Sequence, residues 1–279
     1  MKKRMTGLLA AGLAVCMLSS FALAEDTFTV GFDAEYPPFG YMDENGEYTG
    51  FDLELAEAVC EMEGWKLVKQ PINWDSKDLE LNSGNIDCIW NGFTMNGRED
   101  QYEFSKPYVD NSQVIVVAED SGITSFADLE GKTVGVQAAS AALAVLSDEE
   151  AQKALADTFG TLQEFGDYNQ AFTELQAGSL DALAMDIGVA NYQIKNRGEG
   201  FVILEETLNS EQYAIGFQVG NTEMVEIINK DLDILAENGT VAELAEKYEI
   251  SDMVCLGKEN AGTETEEAET ETESETVME

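Results

Sequence analysis

One arginine and a few carboxylates, hydroxyls and aromatics are spaced so that together they can hold a zwitterion. Arg98 stands in Gly97-Arg98-Glu99-Asp100, and its guanidinium presents a planar fork of N–H donors that matches a carboxylate. Asp186 can accept the three N–H bonds of an ammonium group. Ser140 opens a helical stretch whose first N–H groups have no partner within the helix and suit an anion. Tyr36 and Phe51 supply aromatic surface to enclose an aliphatic or polar side chain. Each residue has a plainer reading. Arg98 can pair with Glu99 and Asp100 at the surface, Asp186 can cap the next helix, and Tyr36 and Phe51 can be core. Phe32 and Trp90 are expected in the core. Histidine is absent, so a Ser-His-Asp triad, a Cys-His dyad and a His-ligated zinc site are all excluded.

Two local patterns must position these groups, and each occurs twice in the same order. The first is a β run through Thr-Val-Gly: Thr29-Val30-Gly31-Phe32 and Thr133-Val134-Gly135-Val136. The second is a helix end, a glycine and a short apolar strand: Leu81-x-x-Gly84-x-Ile86-Asp87-x-Ile89 and Leu175-x-x-Gly178-x-Leu180-Asp181-x-Leu183. Both glycines are placed to take the left-handed conformation after a helix. The duplication predicts two α/β lobes of similar plan. Helical apolar stripes fall at 52–62, 169–177, 224–237 and 241–248, and Thr124 and Ser125 are placed to cap a short helix before Gly131. Strands 113–118 and 213–219 lack a helix partner, so Tyr108–Ser112 and Asn209–Tyr213 are expected as crossovers. The expected division is 25–110 with 211–256 as one lobe and 111–210 as the other. Ligands of open α/β sheets bind beyond the carboxyl ends of strands. Four expected strands end there in polar groups: at Asp33, at Asn91-Gly92-Phe93-Thr94 with Arg98 beyond, at Gln137 followed by Ser140, and at Asp186.

The chain has 279 residues, enough for two domains, and a formal net charge of −40. Such a surface repels phosphate backbones and anionic lipid, so nucleic acid is not an expected partner. Met1–Ala24 reads as a secretion signal. Lys2, Lys3 and Arg4 precede an apolar stretch, and Ala22-Leu23-Ala24 is a small-x-small cleavage site. Lipidation at Cys16 and a membrane-anchoring helix are the alternatives. The expected location is the periplasm or the cell surface. Beyond the leader stand Cys60, Cys88 and Cys255, an odd and widely spaced set that speaks against disulfides or a metal cluster. No cofactor is expected. Residues 257–279 form a Thr/Glu-rich acidic tail without apolar periodicity, which predicts disorder.

The stretches Gly31-Phe32-Asp33-Ala34-Glu35-Tyr36-Pro37-Pro38-Phe39 and Gly50-Phe51-Asp52-Leu53-Glu54-Leu55-Ala56 resemble the polar amino-acid substrate-binding proteins of ABC importers. Phe104-Ser105-Lys106-Pro107-Tyr108, Leu129-x-Gly131-Lys132-Thr133-Val134-Gly135-Val136 and Asn238-Gly239-Thr240 extend the likeness over about residues 27–250. The resemblance implies a type II periplasmic-binding-protein-like fold, two lobes joined by two crossovers that close on one L-amino acid. It implies Arg98 at the ligand α-carboxylate, Asp186 at the α-amino group and Asp33 at the side chain. Tyr36 and Phe51 then form aromatic walls, and Gly92 and Thr94 contribute loop contacts. Two departures stand out. Thr94–Arg98 is one residue shorter than the usual pattern. The hydroxyl that usually helps with the carboxylate is replaced by Ala141, leaving Ser140 or backbone N–H groups to substitute.

The leading expectation is therefore a monomeric binding module that delivers an amino acid to a membrane permease. Acids outnumber Arg98 around the expected site, which favours neutral polar or cationic ligands, and cystine or cysteine stays open. The competing reading is a dehydratase of the prephenate or arogenate type, with Glu35 or Asp33 as general acid. A sensor domain is a third class, and no later transmembrane or signalling segment follows to support it.

Overall fold

The computed structural model describes residues 26–198 and 200–258. The leader, with Cys16, and the tail from residue 259 lie outside the described residues. The first part of the chain gives β1 (Thr27–Phe32), β2 (Glu35–Tyr36), β3 (Gly40–Met42), β4 (Tyr48–Thr49), α1 (Phe51–Glu63), β5 (Lys66–Pro71), α2 (Lys77–Asn82), β6 (Cys88–Ile89) and β7 (Glu103–Phe104). The middle gives β8 (Val109–Ala118), β9 (Thr133–Gln137), α3 (Ala141–Ser147), α4 (Lys153–Ala156), β10 (Thr161–Phe165), α5 (Tyr168–Ala177), β11 (Ala182–Asp186), α6 (Ile187–Arg197) and β12 (Phe201–Tyr213). The chain then adds β13 (Gly216–Phe217), α7 (Thr222–Glu237) and α8 (Thr240–Lys247). Among the described residues no helix is long and apolar enough to cross a membrane.

Two five-stranded sheets make two lobes. One has the order β5-β1-β6-β13-β7, the other β10-β9-β11-β8-β12, and a small sheet β2-β3-β4 stands beside the first. The duplicated patterns explain this plan. In the first lobe β1 and β6 are parallel neighbours, and in the second β9 and β11 are. Asp87 Oδ2 accepts the Thr29 N–H at 2.6 Å, and Asp181 Oδ2 accepts the Thr133 N–H at 2.8 Å. Each aspartate thus satisfies the backbone at the start of the neighbouring Thr-Val-Gly strand. The glycine of that strand makes room. A Cβ on Gly31 would stand 2.4 Å from Ile86 Cδ1, and one on Gly135 would stand 2.5 Å from Leu180 Cδ1. The two patterns are the two halves of one interlocking unit, used once in each lobe.

The helices follow their apolar stripes. Leu53, Leu55, Ala56, Val59 and Cys60 of α1 are buried, as are Val225, Ile228, Leu232 and Leu235 of α7. Ser125 and Asp128 form a reciprocal capping box on the 3-10 turn Phe126–Leu129. The main apolar cluster takes residues from both lobes, Phe39, Tyr108, Val109 and Tyr213 among them, and two smaller clusters complete the cores. Phe32 and Trp90 lie within it, as expected. Cys60 and Cys88 are buried free thiols.

The chain crosses between lobes where β8 and β12 pair antiparallel, with Val109 opposite Tyr213 and Asn111 opposite Glu211. The expected strand 213–219 is broken here. Tyr213 closes β12, and only Gly216–Phe217 enters the first sheet. Ala214 and Ile215 bridge the gap, donating N–H bonds to Phe93 O and Ser105 Oγ. A third strip joins the crossovers: Asp110 N–H donates to Met253 O, and Val254 bridges to Val109.

Candidate functional site

The carboxyl ends of β1, β6, β9 and β11 face one another across the lobes. Asp33 N–H donates to Asn91 Oδ1 at 2.8 Å within the first lobe. Gln137 Nε2, from the second lobe, donates to Asp33 Oδ2 at 2.7 Å. Tyr36, Trp74, Gly92, Thr94, Arg98, Gln137, Ser140, Ala141 and Asp186 line the space between, which is only about 10 Å³. That holds about one water molecule, so an amino acid enters only if the lobes separate.

Arg98 follows a turn in which its N–H bonds to Met95 O at 3.0 Å. Its Nη1 donates to Thr94 O at 3.2 Å, and the guanidinium lies 5.1 Å from the Phe93 ring centroid. Among the described residues it pairs with neither Glu99 nor Asp100, so the surface reading does not hold. The shortened Thr94–Arg98 stretch still brings it to the cavity. Asp186 precedes α6 but its side chain does not cap that helix. Instead its Oδ1 accepts from Tyr213 OH at 2.6 Å, Gln113 Nε2 at 2.6 Å and Asn111 Nδ2 at 2.9 Å. Tyr36 OH lies 3.2 Å from Tyr213 OH. Ser140 caps α3, accepting the Leu143 N–H at 3.1 Å.

Gly92 sits at φ +52°, where a Cβ would meet Tyr36 Cε1 at 2.8 Å. Its N–H donates to Asp52 Oδ2 at 2.6 Å, and Tyr108 OH donates to the same oxygen at 2.9 Å. Asp52 therefore fixes the loop from beneath. Burial pushes its carboxyl up to about 7, against the lowering effect of those two bonds. The folded state holds this proton at pH values where the unfolded chain has lost it. Stability should therefore fall as pH rises from about 4 to about 7, by on the order of 4 kcal/mol from this group. Urea unfolding at pH 5 and pH 8 should show a shallower pH dependence for Asp52→Asn than for the wild type. Equal slopes would mean that Asp52 titrates normally.

Two expected residues stand elsewhere. Phe51 is not a wall of this cavity. It is fully buried at the first turn of α1 and stacks on Tyr108, centroids 6.2 Å apart at 20°. The α1 stripe turns it into the core. Asp33 lines a neighbouring crevice of about 400 Å³, together with Glu35, Pro71, Trp74, Asp167 and Gln170. Burial pushes the Asp33 carboxyl up to about 6, with bonds from Glu35 N–H and Gln137 opposing and Asp167 and Glu35 adding to the rise. Trp74, which sequence reasoning missed, lines both spaces. It lies past the end of β5, a half-exposed strand without an apolar run, though the strand-end rule that found Asp33 applies to it equally. Lys77, also missed, reaches across the lobes to Ala139 O at 3.5 Å and packs 5.4 Å from the Trp74 centroid. Asn111, Gln113 and Glu211 were missed on the crossovers. The i, i+2 spacing of Asn111 and Gln113 beside an apolar strand was the available signal.

Residues 28–251 match the family model of the bacterial extracellular solute-binding proteins, family 3. The chain belongs to this family. The solute-binding protein is 31% identical over 223 residues to the arginine-binding extracellular protein ArtP of Bacillus subtilis (strain 168), covering 78% of this chain and 84% of that one. It is 26% identical over 225 residues to the L-cystine-binding protein TcyJ of Escherichia coli (strain K12), covering 80% and 82%. Among solved structures, it is similar to an ABC uptake transporter substrate-binding protein from Streptococcus pneumoniae with bound histidine. That likeness has a TM-score of 0.78 and 33% identity, and covers 82% of this chain and 94% of that one. The likeness to importer substrate-binding proteins and the two-lobed type II fold, both expected from sequence, agree with these findings. These relatives are named for binding, and the solute-binding protein stands with them as a binding protein and not an enzyme.

Proposed function

We propose that the protein captures an L-amino acid with a cationic or neutral polar side chain between its lobes and delivers it to the permease of an ABC importer. One observation carries the reading. The inter-lobe cavity has Arg98 on one side and Asp186 on the other, and at Trp74 it adjoins a crevice lined by Asp33, Glu35 and Asp167 with no basic residue in its lining. Arg98 is the partner for the α-carboxylate and Asp186 for the α-ammonium. The crevice suits a side chain that donates hydrogen bonds or carries positive charge, and it disfavours glutamate and aspartate. Arginine, cystine and histidine, named with the relatives above, all avoid a net negative charge.

A thermal-shift screen of the twenty amino acids with cystine and ornithine tests this. Ligand at about 100–1,000 times its Kd stabilises by about 3–4 kcal/mol, a rise of roughly 6–16 °C for a chain of this size. Stabilisation by glutamate or aspartate alone, or by none of the set, would sink the proposal.

Ligand should also bring the lobes together. The cavity of the closed structure is too small for entry, and a ligand that touches both Arg98 and Asp186 binds the closed form better. Solution scattering should give a smaller radius of gyration once the stabilising amino acid is added. An unchanged profile at saturation would mean that the lobes do not open.

A further inference from the structure

Two buried carboxylates meet where the crossovers enter the cleft. Asp186 is 3% exposed and Glu211 is 4% exposed. Asn111 Nδ2 donates to Asp186 Oδ1 at 2.9 Å and to Glu211 Oε1 at 2.8 Å. Gln113 Nε2 donates to the same two oxygens at 2.6 and 2.7 Å. The acids are thus one amide apart, twice over. No lysine or arginine pairs with either among the described residues. Facing the pair are Tyr36 from β2, Tyr168 from α5 and Tyr213 from β12, with Arg98 and Asp148 across a crevice of about 180 Å³ that Glu211 also lines. Asn111 Oδ1 and Gln113 Oε1 are buried without a donor. Acceptors therefore outnumber hydrogens here. A like charge this close at a buried site disfavours the ionised form of Glu211. Burial, with Asp186 beside it, raises the Glu211 carboxyl above the ordinary range.

Glu211 also orients a cavity-lining residue. Thr94 Oγ1 donates its hydrogen to Glu211 Oε1 at 2.9 Å, which leaves the hydroxyl lone pairs as acceptors.

We propose that Glu211 is a positioning residue of the amino-group subsite that makes capture proton-linked. In the unliganded cleft Glu211, held beside Asp186 by Asn111 and Gln113, carries a proton. A ligand ammonium takes its place, the proton leaves to solvent, and Thr94 accepts an ammonium N–H because Glu211 has turned its hydrogen away. This rests on the reading of the cleft as an amino-acid site. Because the bound form has lost a proton that the free form carries, affinity rises with pH, by at most about tenfold per pH unit, and levels off once Glu211 is ionised in the free form.

The test is calorimetry on residues 25–279 with L-glutamine, L-arginine, L-lysine and L-cystine, at pH 7 in phosphate and in Tris. The two buffers differ in ionisation enthalpy, so a released proton appears as a difference in heat. L-glutamine has no side-chain charge, and the same titration in Asp33→Asn separates Glu211 from Asp33. Glutamine, or another probe if glutamine does not bind, should release up to one proton, and its affinity should fall from pH 7 to pH 6. Glu211→Gln should abolish both the release and the pH slope and weaken binding. Saturable binding with equal heats in both buffers overturns the proposal and leaves the amino-acid reading standing. No heat from any probe overturns both. The wild-type comparison decides alone if Glu211→Gln does not fold.

Discussion

Replacing Arg98 by alanine is expected to weaken amino-acid binding by about 2–5 kcal/mol, from about thirtyfold to several thousandfold. The guanidinium spends one hydrogen bond on Thr94 O and rests on Phe93, and it makes no ion pair among the described residues. Most of its donors are free for a carboxylate. It is also the single cation in the lining of the cavity. Without it, a ligand carboxylate would enter a nearly dry cleft beside Asp186 and Glu211 with no cation in the cavity lining to meet it. Arg98→Lys should recover only part of the loss, because an ammonium cannot offer the planar fork. Stability should change little, since Arg98 is half-buried and supports no network of its own. Calorimetry decides the matter. An affinity within about threefold of wild type, under about 0.7 kcal/mol, would remove Arg98 from the site.

The lobes were legible because their signals are local. The Thr-Val-Gly and Gly-x-Ile/Leu-Asp patterns each encode a strand start, a close approach and a backbone partner within a few residues, and the pairs Thr29–Asp87 and Thr133–Asp181 are their direct outcome. Arg98 and Asp186 were legible by chemical type and by the strand-end rule. What escaped depends on burial by the opposite lobe. Glu211, Asn111 and Gln113 lie on crossover strands whose polar residues look solvated until the second strand and the tyrosines cover them. Lys77 reads as an exposed first residue of α2, yet it is 5% exposed because Trp74 and Ala139 enclose it. The same limit misplaced Phe51. Its type suits a wall, and only the direction in which α1 turns it shows that it is core.

Phe51 and Trp74 should separate cleanly when each is replaced. Phe51 has no exposed surface, stacks on Tyr108 and belongs to the main apolar cluster. Phe51→Ala should cost about 3–5 kcal/mol of stability, through lost burial and the cavity left behind. For a chain of this size that lowers Tm by roughly 6–20 °C. Affinity measured well below the transition should stay near wild type, since Phe51 lines neither the cavity nor the acidic crevice. Trp74 is 8% exposed, packs edge-on against Phe93 with centroids 5.8 Å apart, and lines both spaces. Trp74→Ala removes a wall that both spaces share, and binding should weaken by about 2 kcal/mol or more, the range of a buried aromatic anchor. It also removes the ring that shields Lys77, whose charge, though paired with Asp78, then bears on the acidic crevice and should penalise cationic ligands more than neutral ones. Calorimetry at 15 °C with one neutral and one cationic amino acid, beside thermal unfolding of both variants, measures all of this. A large loss of affinity in Phe51→Ala with full affinity in Trp74→Ala would return Phe51 to the wall of the site and take Trp74 out of it.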